Sequence, residues 1–268
     1  MKEKVNEPEP TIDQLFDLAG RTALVTGATG WLGKSLATAL AEAGARVVVS
    51  SRNAERAHTL ARGLPGRDDH CAVEIDHMNP GSIDEGFKCA VAVAGPVDIL
   101  VNNGTEPGKG DWRGVDYKAF SRQLDNATGY FHLARLFRNH AVEVHRPANI
   151  VLVGSIYGLV GSYPEDFEGI RDGSSPAYHT LKGGVINLTR HLAVLWAPDN
   201  IRVNCLSPGP FPKPGFPEAL KQRYHKRSPF GRMGSPHELK GAVLLLASDA
   251  GSYMTGVNLV VDGGWTAW

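Results

Sequence analysis

Short apolar runs alternate along this chain with stretches long enough for helices, and that alternation restricts the fold more than any single motif. The apolar runs fall at 22–26, 46–50, 72–76, 97–102, 149–154, 201–206 and 257–261. Helix-compatible stretches lie between them at 31–43, 54–62, 80–93, 116–141, 176–197 and 236–248. Most of the runs hold apolar residues at consecutive positions rather than only at every second one. Strands of that kind belong to parallel sheets covered on both faces. Parallel neighbours need long crossover connections, which are right-handed. The pattern therefore predicts an α/β protein: a doubly wound Rossmann-type sheet of about seven strands in a three-layer sandwich. Residues 19–268 are expected to form one domain, with 1–18 as a flexible extension.

Composition narrows the function. With 28 basic and 28 acidic residues in 268, the formal charge is zero, so no broad basic face for nucleic acid is expected. No apolar run approaches the roughly 20 residues of a membrane helix. Cys71, Cys89 and Cys205 are odd in number and widely spaced, without disulfide or zinc spacing. The reading is a cytoplasmic protein without metal, membrane or nucleic-acid partner, acting on a small molecule.

The first strand runs directly into Thr26-Gly-Ala-Thr-Gly-Trp-Leu-Gly-Lys. Gly27, Gly30 and Gly33 suit close backbone approach to a pyrophosphate, and the helix that follows offers N–H groups and a partial positive charge. Thr29, Trp31 and Leu32 belong to the same turn. At the end of the second strand, where sites for NAD place a carboxylate, the chain has Ser51 and Arg52. A guanidinium makes forked contacts with phosphate, so NADP(H) is favoured over NAD(H). Further on, Tyr178 and Lys182 are spaced to share one helix face. A nearby ammonium favours a phenolate and would lower the Tyr178 pKa, making it a usable acid or base.

The glycine loop, Asn102-Asn103-Gly104, Ser155, Tyr178-xxx-Lys182 and Ser207-Pro208-Gly209 occur in an order that resembles short-chain dehydrogenases/reductases, across about 19–268. The resemblance implies an NAD(P)-dependent oxidoreductase interconverting a secondary alcohol and a ketone. It implies that Ser155 holds the substrate oxygen, Tyr178 exchanges its proton, Lys182 binds the nicotinamide ribose, and Asn126 holds a relay water. Asp76 and His77 would flank the adenine, Asn103 and Gly104 the adenosine side, and Pro208, Gly209 and Phe211 the nicotinamide end. Similar proteins pair long helices across subunits, so a homotetramer or dimer is implied. The closing Asp262-Gly-Gly-Trp-Thr-Ala-Trp resembles members acting on gluconate-like sugar acids, which suggests a small polar substrate.

Departures leave alternatives open. Trp31 stands where the single-domain branch has glycine, and the glycine spacing resembles the epimerase branch. A 3-oxoacyl-thioester reductase, a nucleotide-sugar epimerase and a non-catalytic NADP sensor remain rival readings. Ser155 and Tyr178 are 23 residues apart, about ten more than usual in the family, because of a polar insertion at 158–174. Ser174 and Ser175 are read as helix caps. A lid is expected at 208–234, whose Arg223, Lys226 and Arg227 are either anion-recognising or simply solvated.

Overall fold

The computed structural model describes residues 8–108, 110–170 and 172–268. All seven expected strands are present: β1 (Thr22–Val25), β2 (Arg46–Ser51), β3 (Cys71–Glu74), β4 (Ile99–Asn102), β5 (Ala148–Val153), β6 (Ile201–Pro208) and β7 (Asn258–Val261). They form one parallel sheet in the order β3-β2-β1-β4-β5-β6-β7. The order reverses between β1 and β4, and open sheets of this kind bind ligands at such a reversal, beyond the strands' carboxyl ends. Register makes those ends level: Val25 pairs with both Val49 and Val101, and Val153 pairs with Leu206.

Alternate strand residues enter two separate cores, which explains why apolar residues fall at consecutive positions. Leu24, Val48, Leu100 and Leu152 pack under α4 (Pro80–Ala94), α5 (Tyr117–Glu143) and α7 (Pro176–Trp196). Val25, Val47, Val49 and Val101 face α2 (Trp31–Glu42), α3 (Ala54–Arg62) and α9 (Lys240–Ala247). The stretch expected at 236–248 begins as a short tight helix, Pro236–Leu239, before α9. A third, smaller core joins Ile156, Phe167, Leu220, Tyr224, Met233 and Trp265 near the site. Among the described residues no helix is long and apolar enough to cross a membrane.

The expected flexible extension needs correction over 11–18; residues 1–7 lie outside the described residues. Helix α1 (Ile12–Phe16) is opened by a capping box in which Thr11 and Gln14 satisfy each other's backbone N–H. Leu18 then enters the second core with no exposed surface, and its N–H donates to the Ala43 carbonyl. A single turn with one buried leucine has no period to read, so the sequence pattern could not reveal it. Leu18→Ala should lower unfolding stability by about 2–4 kcal/mol. Denaturant titration checks this; an unchanged midpoint would mean the segment is loosely attached.

Candidate active site

At the turn after β1, glycine is required for packing as much as for ligand approach. Gly27 has φ +58°, and a Cβ there would lie 2.6 Å from Gly104 Cα. A Cβ on Gly33 would run into the Gly27 carbonyl. Asn103 Nδ2 donates to the Thr26 and Gly27 carbonyls, both at 3.1 Å. The Thr26 hydroxyl accepts from the N–H groups of Asn103 (2.9 Å) and Gly104 (3.0 Å). Two of the three glycines, and Asn103 itself, thus hold the turn against β4. Gly30 is different. It is the N-cap of α2, has no side chain to cap the first turn, and no acidic residue stands in that turn. The orphan N–H groups of a first turn and the dipole's positive end suit an external anion. The residues fit a nicotinamide dinucleotide at this turn.

Thr29 donates to Ser51 Oγ at 3.0 Å, tying the turn to β2. Arg52 is exposed, its Nη1 lying 3.9 Å from Glu106 Oε2. Asp76 Oδ1 accepts from Met78 N–H at 3.0 Å. His77 is buried beneath the turn, with Nε2 2.9 Å from Thr26 Oγ1 and its ring against Tyr130 and Gly104. Burial holds its pKa down to about 4, so it stays neutral.

The expected catalytic residues converge at the carboxyl end of β5. Lys182 reaches through the core so that Nζ donates to the Val153 carbonyl at 2.7 Å, 5.7 Å from the Tyr178 ring centre. Two residues beyond Val153, the Ser155 hydroxyl acts on the Tyr178 phenol and opposes the rise in its pKa. It also accepts from Tyr157 N–H at 3.2 Å. Gly158 permits this approach, since a Cβ there would lie 2.6 Å from the Lys182 carbonyl.

The electrostatics depart from expectation. Burial raises the Tyr178 pKa, and the group that opposes the rise is Ser155 rather than Lys182. The lysine is turned onto a carbonyl, and its own pKa is pushed down to about 8 by burial. Asn126 is also committed elsewhere. Its Oδ1 accepts from Glu106 N–H (2.7 Å) and Nδ2 donates to the Gln123 carbonyl (2.9 Å), so it anchors the segment after β4.

Pro208 and Gly209 end β6 beside Ser155's strand, Gly209 donating to the Val261 carbonyl at 2.9 Å. Phe211 packs its ring on Gly234, inside the lid's own structure. Ser175 holds the N-cap position of α7, but its hydroxyl makes no capping bond.

The insertion and the lid, separate in sequence, form one body. Within them lie α6 (Pro164–Phe167) and α8 (Glu218–Arg227). Arg223 Nη1 donates to the carbonyls of Glu165, Asp166 and Glu168 at 2.8–2.9 Å. Arg227 pairs with Glu165 and the buried Asp166 and stacks 3.7 Å over the Tyr163 ring. Two of the three lid cations are therefore used internally, while Lys226 is exposed. Tyr157 carries this body to the catalytic residues: it lies edge-on to Tyr178, stacks on His179 at 4.7 Å, and its hydroxyl is 3.0 Å from that of Tyr224. Sequence reading missed Tyr157, Glu106 and Arg122; only the position of Tyr157 beside Ser155 offered a signal.

Comparison with known proteins agrees with this geometry. The family model described as enoyl-(acyl carrier protein) reductase matches residues 27–266. A cis-4-hydroxycyclohexanecarboxylate dehydrogenase from Sinomonas cyclohexanicum is 36% identical, covering 93% of this chain and 98% of the relative. A gluconate 5-dehydrogenase from Gluconobacter oxydans is 32% identical over 94% and 97%. The crystal structure of a gluconate 5-dehydrogenase from Burkholderia cenocepacia, in complex with NADP and tartrate, superposes with TM-score 0.86 at 30% identity, covering 96% of this chain and 99% of that one. The chain belongs to the short-chain dehydrogenase/reductase family. It is an NAD(P)-dependent oxidoreductase that acts on secondary alcohols.

Two outcomes follow from the site. The folded state releases the Lys182 proton near pH 8, whereas an unperturbed lysine holds it to 10.5. The folded state thus binds fewer protons in that window, and the penalty for a buried ammonium, full below it, is relieved as pH rises. Wild-type stability should rise relative to Lys182→Met between those pH values; parallel urea midpoints would contradict it. Arg227→Met strips Asp166 of its partner and should speed proteolytic cleavage within 208–234. Adding Asp166→Leu should restore part of the resistance, because the pair is then replaced rather than broken.

Proposed function

We propose that this enzyme interconverts a secondary alcohol and a ketone on a small polar substrate of sugar-acid or polyol type, with NADP(H) preferred and Tyr178 carrying the proton. The observation that carries the reading is the convergence of Ser155, Tyr178 and Lys182 on the end of β5. The glycine turn, Ser51 and Arg52 would hold the cofactor's phosphates, and Asn103 with Gly104 would support the adenosine side. When bound, the nicotinamide supplies or accepts the hydride. Tyr178 is kept protonated by burial, so in the reducing direction its Oη donates a proton to the carbonyl oxygen. Ser155 donates a hydrogen bond to that same oxygen and stabilises its developing charge. In the oxidising direction Tyr178 accepts the hydroxyl proton only as a phenolate, the form that burial disfavours, so the resting site favours reduction. Asn126 anchors the segment after β4 and, in this reading, would also hold a relay water near Lys182.

Polar substrate chemistry is supported by the half-buried Tyr157 and His179 beside Tyr178, together with the gluconate 5-dehydrogenase relatives. The family model's description favours an acyl thioester as second reading. Val194 and Leu195 are exposed on α7 beside Phe131 on α5, a face that suits pairing of two copies. We assign a homo-oligomer, dimer or tetramer, on that basis, and light scattering measures it. The free thiols of Cys71, Cys89 and Cys205 fit a reducing cytoplasm.

Tyr178→Phe should reduce turnover by at least about 10³-fold, within the range usual for a lost general acid, with cofactor affinity little changed. Turnover within tenfold of wild type would remove Tyr178 from the chemistry. A panel of sugar acids, polyols and acyl thioesters, followed by nicotinamide absorbance, decides the substrate class. Sugar acids or polyols should be turned over fastest; acyl thioesters as the best substrates would replace the reading.

A further inference from the structure

We infer that Glu106, held by Arg122, sets how strongly this enzyme discriminates NADP from NAD. The inference deepens the cofactor assignment above and rests on Arg52 meeting the 2′-phosphate.

Topology makes the arrangement informative. Because β1 lies between β2 and β4, Arg52 after β2 and Glu106 after β4 face each other across the carboxyl end of β1, where the glycine turn sits. Glu106 is the most firmly held residue of its segment. Its N–H donates to Asn126 Oδ1 at 2.7 Å, and its carbonyl accepts from Gln123 Nε2 at 3.0 Å. Its carboxylate takes a forked pair from Arg122, Nε at 2.9 Å and Nη2 at 2.8 Å. The contact with Arg52, at 3.9 Å and with an exposed guanidinium, is by comparison loose. Arg122 is thus the fixed partner of Glu106, and Arg52 is the one a ligand can recruit.

The charges around this edge explain why the fixed pair matters. Asp76 and Asp125 also act electrostatically on Arg122, so the edge is not simply basic. A 2′-phosphate drawn to Arg52 must approach a carboxylate that already contacts the same guanidinium. While Arg122 neutralises Glu106, the approach costs little. Without Arg122 the carboxylate would repel the phosphate and bind Arg52 more tightly. A 2′-hydroxyl is uncharged and is little affected by either change. Forked guanidinium–carboxylate pairing is directional, so a lysine at 122 would not substitute for it.

Calorimetric titration of the full chain with NADP and with NAD tests this without relying on turnover. Glu106→Gln keeps both backbone bonds and should tighten NADP by about two- to fivefold, the range of an exposed charge interaction, with NAD unchanged. Arg122→Gln should weaken NADP by a similar factor, and the double variant should return close to wild type. Arg52→Glu, measured alongside, should weaken NADP much more than NAD. If Arg52→Glu separates the cofactors but Glu106→Gln and Arg122→Gln move both alike, or neither, Glu106 is only a loop anchor and the inference falls. If Arg52→Glu affects both cofactors equally, the 2′-phosphate reading itself falls and takes the inference with it. Equal melting temperatures across the set confirm that the comparison is between folded proteins. Should Glu106→Gln fail to fold, the sign of the Arg122→Gln effect alone decides, with no loss of NADP affinity overturning the proposal.

Discussion

The hydrogen bond from Lys182 Nζ to the Val153 carbonyl is the constraint on which the site depends. It fixes α7 against the end of β5, and one turn earlier on the same helix face Tyr178 is delivered to Ser155, two residues beyond that carbonyl. Burying an ammonium is costly unless polar partners replace water. Here a carbonyl accepts from it, and the rings of Tyr130 and Tyr178 lie 5.6 and 5.7 Å away, distances at which a cation is attracted by a ring face. The remaining cost emerges as a lysine whose pKa falls to about 8. Small residues make the approach feasible: a Cβ on Gly154 would lie 2.7 Å from Cys205 Sγ.

This arrangement changes how the tyrosine is understood. A one-dimensional reading pairs Tyr178 with Lys182 and infers a phenol made acidic by the cation. In three dimensions the ammonium is spent on a backbone carbonyl and burial dominates, so the phenol is the protonated partner. The resting phenol therefore keeps its proton. Tyr157 meets Tyr178 edge-on and also packs on the small core formed by the insertion and residues 208–234.

The fold was largely legible because it rests on local signals. The central strands carry apolar residues at consecutive positions since their two faces enter different cores, and the seven strands lie within a few residues of the expected runs. Ser155, Tyr178, Lys182 and the glycine turn were legible as motifs. What was not legible depends on long-range pairing. Arg223 and Arg227 find their partners 55–62 residues earlier in the insertion, and no spacing rule connects them. His77 reads as a ligand-facing residue beside Asp76, yet three residues beyond β3 its ring is buried against Thr26 and Tyr130. Gly27 and Gly33 read as phosphate chemistry, but steric contact with Gly104 and with the turn itself demands them. Only Gly30 is left as a glycine whose purpose is an open helix end.

The most direct test is a titration of near-ultraviolet phenolate absorbance in the cofactor-free protein, taking wild type minus Tyr178→Phe. The account predicts that the difference band develops only above pH 10, the ordinary value for a phenol. A band that grows in between about pH 7 and 8, where a cation-activated phenolate would form, would contradict it.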